Sequence, residues 1–393
     1  MRVGLIAWDY PPHPSGLSTA ALEIASGLAE AGADIRVFTL DRTGNSRDGG
    51  IEIVGCGLAL AGPLSGLRRL AAVGHLAAPL AFRRAVLAAH RDRPFDILEA
   101  TNWYAPGALL AGGPVPLVTR HSTPAAFSRD APRTMRDRLD AAYADRLERR
   151  SAQRSAGHIS NTAEHETRIV EAYALPDGAT RAVIGLSLPP KTLHRGRAAP
   201  YPVKADELRL LFVGRAEVRK GFDALIAAAA ILAAEADAGA LPAFRLVLVG
   251  VSPSDLPPGL PATLLGRIEA LGRLPAAKLA GEYERAHAVL APSRYESFGL
   301  VYQEAMAYGR PVLACAEDAS ARLFVGEPGA GLLATSATAP ALADALRPML
   351  TDVALRARLR DNALRAAGRF DRASLARETL ALYERVLDGR QSR

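Results

Sequence analysis

Residues 292–314 read PSRYESFGLVYQEAMAYGRPVLA; they follow the apolar stretch 288–290 and end in a second apolar stretch, 311–314. Both apolar stretches have the length of short buried strands. Ser297 is of a type favoured as a helix N-cap, so we expect a helix that begins at Phe298. A strand, a helix and a second strand in succession form a βαβ unit, whose strands are parallel. This stretch therefore predicts an α/β fold.

Two glutamates in this stretch, Glu296 and Glu304, are separated by seven residues. Glu304 would lie almost two turns beyond the cap, on the same side as the helix start. The backbone N–H groups of Phe298, Gly299 and Leu300 at that start attract anions. Carboxylates accept hydrogen bonds from hydroxyls, so the arrangement fits a nucleotide sugar, which offers sugar hydroxyls, a diphosphate and ribose hydroxyls. The spacing also occurs by chance and leaves open two solvated glutamates on an exposed helix.

A second group of polar residues lies in the stretch 212–222, FVGRAEVRKGF. A strand over 208–213 ends before Arg215, and Lys220 precedes a helix expected over 222–234. Two cations beside a strand-to-helix turn suit a diphosphate, with lysine as a point charge and arginine as a fork. The spacing of a P-loop, G-x-x-x-x-G-K-[ST], is absent. Taken alone, the stretch also fits an exposed basic loop.

Alternating strands and helices recur along the whole chain. In the first half, apolar runs predict a strand over 3–8, a helix over 18–31 and a strand over 35–40. The other expected strands are 97–100, 117–119, 158–160 and 244–249, and a last helix is expected over 373–387. Each half thus predicts its own parallel sheet.

The length of 393 residues exceeds one ordinary core and suits two domains. Proline and basic residues crowd 189–202, which we interpret as a linker. We expect domains at 1–188 and 203–372, with a final helix over about 373–393 that packs back onto the first. Two doubly wound domains that face each other leave a cleft at the carboxyl ends of their sheets, where ligands usually bind.

Cysteine content and hydropathy indicate a reduced, cytoplasmic protein. The two cysteines, Cys56 and Cys315, are far apart in sequence and offer neither zinc-site spacing nor a disulfide framework. The first residues are apolar for too short a run to be a secretory signal, and no run of about 18 apolar residues occurs.

The net charge of +7 favours polyanionic partners such as nucleotides, nucleic acid or an anionic membrane surface. A composition that is rich in arginine throughout explains the same charge without any partner.

The stretch 292–314 as a whole resembles the signature of retaining GT-B glycosyltransferases of family four. The resemblance implies a GT-B fold, with two Rossmann-like domains that face each other across a cleft. It also implies transfer of a hexose-type sugar from a nucleotide-diphosphate sugar to a hydroxyl acceptor, with retention of the anomeric configuration. In that family a Gly-Arg…Lys-Gly segment binds the diphosphate, which assigns this role to Arg215 and Lys220. Arg219 matches no family position, and we expect it to be solvated.

The resemblance extends to two residues of the first half, Gly16 and His121. Gly16 lies in the loop after the first strand, where the family often has two glycines near the donor; here Ser15 replaces the first. His121 follows an apolar strand, so we expect it at the carboxyl end of that strand, facing the cleft. A lone histidine is more often structural, but in the family a histidine at this place contacts the donor sugar.

The expected site needs no metal and no cofactor besides a UDP or GDP sugar. The chain contains no Asp-x-Asp pair, which metal-dependent sugar transferases commonly use. The resemblance implies catalytic roles for Glu296, His121, Arg215 and Lys220. It implies donor binding by Gly16, Arg215, Lys220, Glu296, Phe298, Gly299, Leu300 and Glu304.

Two stretches depart from the family pattern and leave the sugar and the acceptor open. Residues 183–189 read VIGLSLP where an Asn-Gly-Val-Asp loop is common, and 315–322 read CAEDASAR where a glycine pair precedes Pro-Glu. A nucleotide-sugar epimerase would share the fold and the donor. A nicotinamide oxidoreductase would need the missing G-x-G-x-x-G, and a non-catalytic glycan-binding protein would lack the carboxylates and cations.

A lipid-linked or envelope glycan and a soluble small molecule both remain as acceptors. Residues 63–93 set leucines among Arg68, Arg69, Arg83 and Arg84, as an interfacial helix does, and 129–154 adds further arginines. This pattern predicts peripheral contact with the inner face of an anionic membrane. We expect no nucleic-acid partner. The alternative is a pair of ordinary packed helices, which Pro79 favours because it would break one long helix.

Overall fold

The computed structural model of the chain describes residues 1–13, 15–57, 63–202, 206–369 and 371–391. The chain divides into two compact units, one of residues 1–187 with 370–393 and the other of Leu188–Arg369. The stretch 189–202 was expected to be a linker. It belongs instead to the second unit, where much of it forms a helix, Pro190–Ala198.

The helices and strands alternate along most of the described chain. The strands are β1 (Arg2–Ala7), β2 (Asp34–Thr39), β3 (Thr43–Asp48), β4 (Ile51–Cys56), β5 (Ile97–Thr101), β6 (Leu117–His121), β7 (Gly157–Ser160), β8 (Arg181–Val183), β9 (Leu208–Val213), β10 (Phe244–Val249), β11 (Ile268–Gly272), β12 (Ala288–Ala291), β13 (Val312–Cys315) and β14 (Gly331–Ala334). The α-helices are α1 (Gly16–Glu30), α2 (Pro63–Leu67), α3 (Ala77–Asp92), α4 (Ala125–Ser128), α5 (Met135–Arg154), α6 (Ala163–Tyr173), α7 (Pro190–Ala198), α8 (Phe222–Asp237), α9 (Ala262–Leu265), α10 (Ala276–Arg285), α11 (Leu300–Ala307), α12 (Ala319–Ala321), α13 (Ala339–Thr351), α14 (Val353–Ala366) and α15 (Arg372–Gln391).

Within the described residues, the first unit holds a sheet of eight strands in the order β3-β4-β2-β1-β5-β6-β7-β8. All neighbours are parallel except β3 and β4, an edge hairpin that the sequence did not predict. The central strand β1 is buried along its whole length, as expected when helices cover both faces of a parallel sheet. The strand order reverses at β1, so a crevice is expected beyond the carboxyl ends of β1 and β5.

In the second unit, the described residues form a six-stranded parallel sheet in the order β11-β10-β9-β12-β13-β14. Leucines of α8 and α13 pack with those of the strands in one apolar core. The order reverses between β9 and β12, which are neighbours in the sheet. Lys220 follows β9 and Glu296 follows β12, so the topology brings both to the same carboxyl edge.

The final helix, α15, belongs to the first unit, where it packs on α1. Arg372 at its start forms an ion pair with Glu23 of α1, which is fully buried. Ser187 Oγ also donates to Glu23, at 2.7 Å. Farther along α15, Tyr383 Oη donates to Glu99 Oε2 of β5 at 2.6 Å. These buried polar contacts attach the C-terminal helix to the first sheet and its helical layer.

Candidate active site

Glu296 lies in the loop between β12 and α11, with only 11% of its side chain exposed. Lys220 Nζ donates to its Oε1 at 2.5 Å, and Ser293 Oγ donates to the same oxygen at 2.8 Å. Burial alone would raise the pKa of Glu296. The charges of Lys220 and Arg219 outweigh that effect and hold this pKa below its usual value. Glu296 is therefore an ionised carboxylate in a largely enclosed, cation-lined position.

Arg219 is a second cation of this cluster, and the expectation that it would be solvated is wrong. Its side chain is 13% exposed, and Nη1 lies 3.4 Å from Glu296 Oε2. The same nitrogen donates to the Tyr295 carbonyl at 3.0 Å, while Nη2 lies 3.3 Å from Glu217 Oε2. Arg219 and Lys220 are consecutive in the 3₁₀ turn Val218–Lys220, and both side chains contact Glu296. Sequence reasoning missed Arg219 because the family pattern gave it no position.

Arg215 is placed differently from Lys220, although the sequence assigned both to the diphosphate. Its side chain is 58% exposed and forms an ion pair with Glu217 at 2.8 Å. Among the described residues, the cations in contact with Glu296 are Lys220 and Arg219. The role of Arg215 at a diphosphate stays a prediction.

The helix after Glu296 begins later than the sequence suggested. α11 starts at Leu300, and its N-cap is Gly299 with φ of 78°, so the assignment of Ser297 as the cap is wrong. Glycine tolerates this left-handed conformation, which other residues rarely adopt. A Cβ on Gly299 would also lie 2.3 Å from Tyr302 Cδ2. Tertiary packing of the loop, rather than the local capping preference of serine, therefore sets the helix start.

Phe298 is an anchor of this loop, because its side chain is buried against Phe324 with ring centroids 4.9 Å apart. The buried ring fixes the backbone just before Gly299 and Leu300. The first turn of α11 keeps the orientation expected of a helix N-terminus, with backbone N–H groups directed away from the helix. Binding of a diphosphate by these N–H groups stays a prediction.

Glu304 lies in the second turn of α11. Tyr283 Oη donates to its Oε2 at 2.6 Å, and Tyr283 itself is buried and stacked on Tyr308, with centroids 5.3 Å apart. Burial raises the pKa of Glu304, and the hydrogen bond from Tyr283 opposes that rise. Tyr283 thus fixes the orientation of a carboxylate that the sequence assigned to the donor. A tyrosine so distant in sequence gave no signal that could have linked it to Glu304.

Asp318, which the sequence did not single out, lies directly under this loop. It is fully buried, and its Oδ1 accepts a hydrogen bond from the backbone N–H of Glu296 at 2.9 Å. Burial, reinforced by the charge of Glu296, raises the pKa of Asp318 to about 7. The signal that could have found it is an aspartate that follows the apolar strand β13 and faces the same edge of the sheet.

His121 is the last residue of β6, so it lies at the carboxyl end of that strand as expected. The side chain is fully buried and stacks on His158, with Nε2 3.2 Å from Nδ1 of that residue. His165 approaches from α6, and its Nε2 lies 3.1 Å from the His121 carbonyl oxygen. Burial, with smaller effects of the two histidines, lowers the pKa of His121 well below its usual value. A contact between His121 and the donor sugar stays a prediction, and it would require this side chain to be uncovered.

Gly16 is the first residue of α1, and Ser15 is its N-cap. Ser15 Oγ accepts from the backbone N–H of Ser18 at 2.9 Å and donates to Asp9 Oδ2 at 2.8 Å. The serine that replaces the family glycine therefore has a structural role of its own, since it starts the helix. The role of Gly16 at the donor stays a prediction.

The first unit also contains a cavity of about 620 Å³ beyond the carboxyl ends of β1 and β5. Arg68 and Arg136 line it, and among the described residues neither forms an ion pair with a carboxylate. The other lining residues that matter here are Trp8, Asp9, Asp41 and Tyr104. The cavity therefore combines cations, carboxylates and aromatic rings.

Two family models match the chain: "Glycosyl transferases group 1" over residues 198–366 and "Glycosyl transferase 4-like domain" over residues 15–185. A D-inositol 3-phosphate glycosyltransferase of Kineococcus radiotolerans is 31% identical over 413 residues, which cover 95% of this chain and 91% of that relative. Among solved structures, sucrose-phosphate synthase from Thermosynechococcus elongatus is similar with a TM-score of 0.77, 23% identity and coverage of 99% of both chains. Anabaena Alr3699/HepE in complex with UDP and glucose has a TM-score of 0.68, 20% identity and coverage of 98% of this chain and 99% of that chain.

The fold and these similarities define the class of protein, a glycosyltransferase with the GT-B fold. The chain belongs to the group 1 glycosyltransferases, family four in the classification of these enzymes. The resemblance of residues 292–314 to the family signature is thereby confirmed, as are the two Rossmann-like units.

Proposed function

We propose that the protein transfers a hexose-type sugar from a UDP or GDP sugar to a hydroxyl acceptor, with retention of the anomeric configuration. The observation that carries the proposal is the cluster of Glu296, Lys220 and Arg219 at the switch point of the second sheet, beside the N-terminus of α11. Ligands of open α/β sheets bind at this position. The similar Anabaena structure is a complex with UDP and glucose, which supports the choice of donor.

The proposed chemistry breaks the bond between the anomeric carbon and the diphosphate oxygen and forms a bond from that carbon to the acceptor oxygen. The acceptor proton passes to the leaving phosphate. Negative charge grows on the diphosphate in the transition state, where positioned cations and helix amides stabilise it. Lys220 and Arg219 are placed for this role, and Glu296 accepts hydrogen bonds from sugar hydroxyls.

The proposed mechanism needs no metal ion, because protein cations perform the stabilisation. We therefore expect the turnover rate to be unchanged after dialysis against EDTA. A complete loss that Mg²⁺ or Mn²⁺ restores would contradict this part of the proposal.

Glu304 completes the donor site in this proposal by accepting hydrogen bonds from the ribose hydroxyls. Tyr283 occupies Oε2 of Glu304, which leaves Oε1 for a ligand. The ribose and the sugar would then be held by two carboxylates on either side of the start of α11, with the diphosphate between them.

For the acceptor, we propose a phosphorylated polyol that binds in the cavity of the first unit. Arg68 can bind a phosphate group, as can Arg136, which also donates to the Arg69 carbonyl at 2.8 Å. Asp9 and Asp41 can accept hydrogen bonds from hydroxyls. The Kineococcus relative is named as an enzyme of D-inositol 3-phosphate, which supports this class. We therefore propose a small phosphorylated molecule, rather than a lipid-linked or envelope glycan, as the acceptor.

A peripheral contact of the first unit with an anionic membrane is a separate proposal. The stretch 63–93 is not one interfacial helix, since α2, a 3₁₀ turn and α3 follow one another and Phe82 lies in the core. The supporting observation is that Leu70 is 56% exposed among exposed arginines. No described helix is long and apolar enough to cross a membrane.

Co-sedimentation with anionic vesicles at low salt tests the membrane contact, because electrostatic attraction is then least screened. Leu70→Asp should reduce binding, whereas Leu265→Asp, at a leucine of the second unit that is 49% exposed, serves as the control. Absence of wild-type binding would contradict the contact.

We also propose that the protein is located in the cytoplasm. Both of its cysteines, Cys56 and Cys315, are buried free thiols, as is usual in a reducing compartment.

Thermal stabilisation by a panel of UDP and GDP sugars tests the donor, followed by turnover with and without candidate acceptors. We expect one donor class to raise the melting temperature, and product to form only when an acceptor is present. Inositol phosphate and unphosphorylated inositol form a matched pair for the acceptor. Conversion of the donor alone to another nucleotide sugar would indicate an epimerase, and no stabilisation by any donor would contradict the proposal.

A further inference from the structure

The stretch 315–322, which departs from the family pattern, runs from the last residue of β13 through a turn to α12 and the residue after it. Asp318 in this turn is fully buried. Its Oδ1 accepts from the backbone N–H of Glu296 at 2.9 Å, and its Oδ2 accepts from Tyr302 Oη at 2.7 Å. A carboxylate is therefore removed from water and used entirely within the second unit.

Ser320, two residues farther on, contacts the other side of Glu296. Its side chain is also fully buried, and its Oγ donates to the carbonyl oxygen of Glu296 at 2.9 Å. The N-cap residue and the second residue of α12 thus hold both the N–H and the C=O of Glu296. From this fixed backbone, the Glu296 side chain contacts Lys220, Ser293 and Arg219.

Tyr302 extends this arrangement to the start of α11. Its hydroxyl donates to Asp318, and its ring fills the space over Gly299, where a Cβ would lie 2.3 Å from Tyr302 Cδ2. The loop between Glu296 and Leu300 is therefore held at its first residue and at its cap by contacts that converge on Asp318.

Helix capping alone does not explain Asp318. It does cap α12 and accepts from the Ser320 N–H at 3.3 Å, but that helix has only three residues. Burying a carboxylate is costly unless its hydrogen bonds are well satisfied, and here the partners belong to the loop of Glu296. A group placed at such a cost against a catalytic loop is suited to fix the position of that loop.

We propose that Asp318 and Ser320 are positioning residues that set Glu296 for sugar transfer by holding its backbone on both sides. This proposal rests on the proposed function, since it assumes that Glu296 contacts the donor sugar. Small displacements of a catalytic group reduce turnover strongly. The effect should appear in kcat rather than in the donor KM, because the diphosphate and ribose contacts remain.

Four variants test this role: Asp318→Ala, Asp318→Asn, Ser320→Ala and the control Asp352→Ala. Asparagine can still accept from the Glu296 N–H, and it can donate to Tyr302 Oη, whose hydroxyl can turn to the Ala291 carbonyl 3.4 Å away. Asp352 caps α14 at the surface, so its loss removes a capping aspartate away from the loop.

We expect kcat for release of the nucleotide diphosphate to fall about tenfold or more in Asp318→Ala, as for a lost hydrogen bond to a charged group, with the donor KM changed less than about threefold. Asp318→Asn should restore most of kcat, Ser320→Ala should show a smaller fall, and Asp352→Ala should keep the wild-type value. Hydrogen exchange of the peptide 292–302 in the whole protein should accelerate in Asp318→Ala and Ser320→Ala but not in Asp318→Asn or the control.

A folded Asp318→Ala variant with wild-type kcat and exchange would overturn the proposal, as would Asp318→Asn that is as impaired as Asp318→Ala. If Asp318→Ala does not fold, wild-type exchange of 292–302 in Ser320→Ala overturns it. A wild type that turns over no nucleotide sugar contradicts the proposed function instead, and the exchange experiment still tests how Asp318 and Ser320 hold the loop.

Discussion

Glu296 and His121 occupy similar places in the two units, yet their surroundings give them opposite properties. Each lies at the carboxyl end of a strand of a parallel sheet, Glu296 just after β12 and His121 at the end of β6. Glu296 is paired with two cations, which keep it ionised. His121 is sealed among neutral aromatic groups, and its lowered pKa keeps it uncharged. The place of a residue at the end of a strand is therefore predictable from the sequence. Its charge state depends on the residues that surround it in the fold.

The histidines around His121 are uncharged as well, in contrast to the cations around Glu296. His121 Nδ1 has no hydrogen-bond partner among the described residues, and the pKa of both His158 and His165 is lowered to about 4, chiefly by burial. The histidine cluster thus consists of neutral rings that pack within the first unit. The proposed diphosphate site lies in the second unit, at Lys220 and Arg219.

Among the substitutions considered, we expect the largest effect on turnover at Lys220. Lys220→Ala removes a cation that contacts Glu296, and kcat should fall roughly 100- to 1000-fold, as when one group that stabilises transition-state charge is lost. Steady-state kinetics of nucleotide diphosphate release measure it. Lys278→Ala, on α10, is the matched control, and equal kcat for the two variants would place the diphosphate elsewhere.

Glu304→Ala should weaken donor binding by roughly 10- to 150-fold, the loss expected for a hydrogen bond to a charged group. Calorimetric titration with the nucleotide sugar found in the screen measures the affinity. Glu207→Ala, whose partner Arg245 lies at the opposite end of the second sheet, is the control. Unchanged affinity in folded Glu304→Ala would remove this residue from the donor site.

The histidine cluster should make the stability of the protein sensitive to acid. The folded pKa of His165 is about 4 and its ordinary value is 6.5, so the unfolded chain takes up protons first as the pH falls. The contribution of neutral His165 to the free energy of unfolding is therefore complete above about pH 6.5. It is lost as the pH falls toward 4, by at most about 3 kcal/mol. Urea unfolding at several pH values measures the decline.

His165→Gln should show a shallower decline with pH than the wild type, whereas His13→Gln, at an exposed histidine, should show the same decline. If the wild type and His165→Gln lose stability in parallel between pH 6.5 and 4, then His165 is not buried in its neutral form.

The smallest expected effect is at Arg215. Its side chain is 58% exposed and paired with Glu217, and exposed ion pairs contribute about 0–1 kcal/mol. Arg215→Ala should therefore reduce kcat only about threefold. A loss as large as that of Lys220→Ala would show that Arg215 reaches the diphosphate after all.

Much of the fold could be predicted because continuous apolar runs mark strands that are buried on both faces. The strands expected over 208–213 and 244–249 have those bounds in the structure, and the expected strand over 3–8 is shifted by one residue. The β3–β4 hairpin was missed because β3, TGNSRD, is polar and exposed throughout, so no hydrophobic pattern identifies it.

The site was predicted in part. The family resemblance led to Glu296 and Lys220, which the structure brings into contact, and to Glu304. It could not reveal Arg219, Asp318 or Tyr283, because their importance comes from contacts between segments distant in sequence. The error at Ser297 has the same origin, since a local capping preference yielded to the packing of Phe298 and Gly299.

We expect the charged cluster after β9 and β12, rather than the buried histidines, to receive the nucleotide sugar. Hydrogen exchange of the whole protein, with and without a saturating nucleotide sugar, tests it most directly. We expect slower exchange in 214–221 and 292–304, with little change in 157–173. Protection confined to 157–173, or none in 292–304 at saturation, would contradict it.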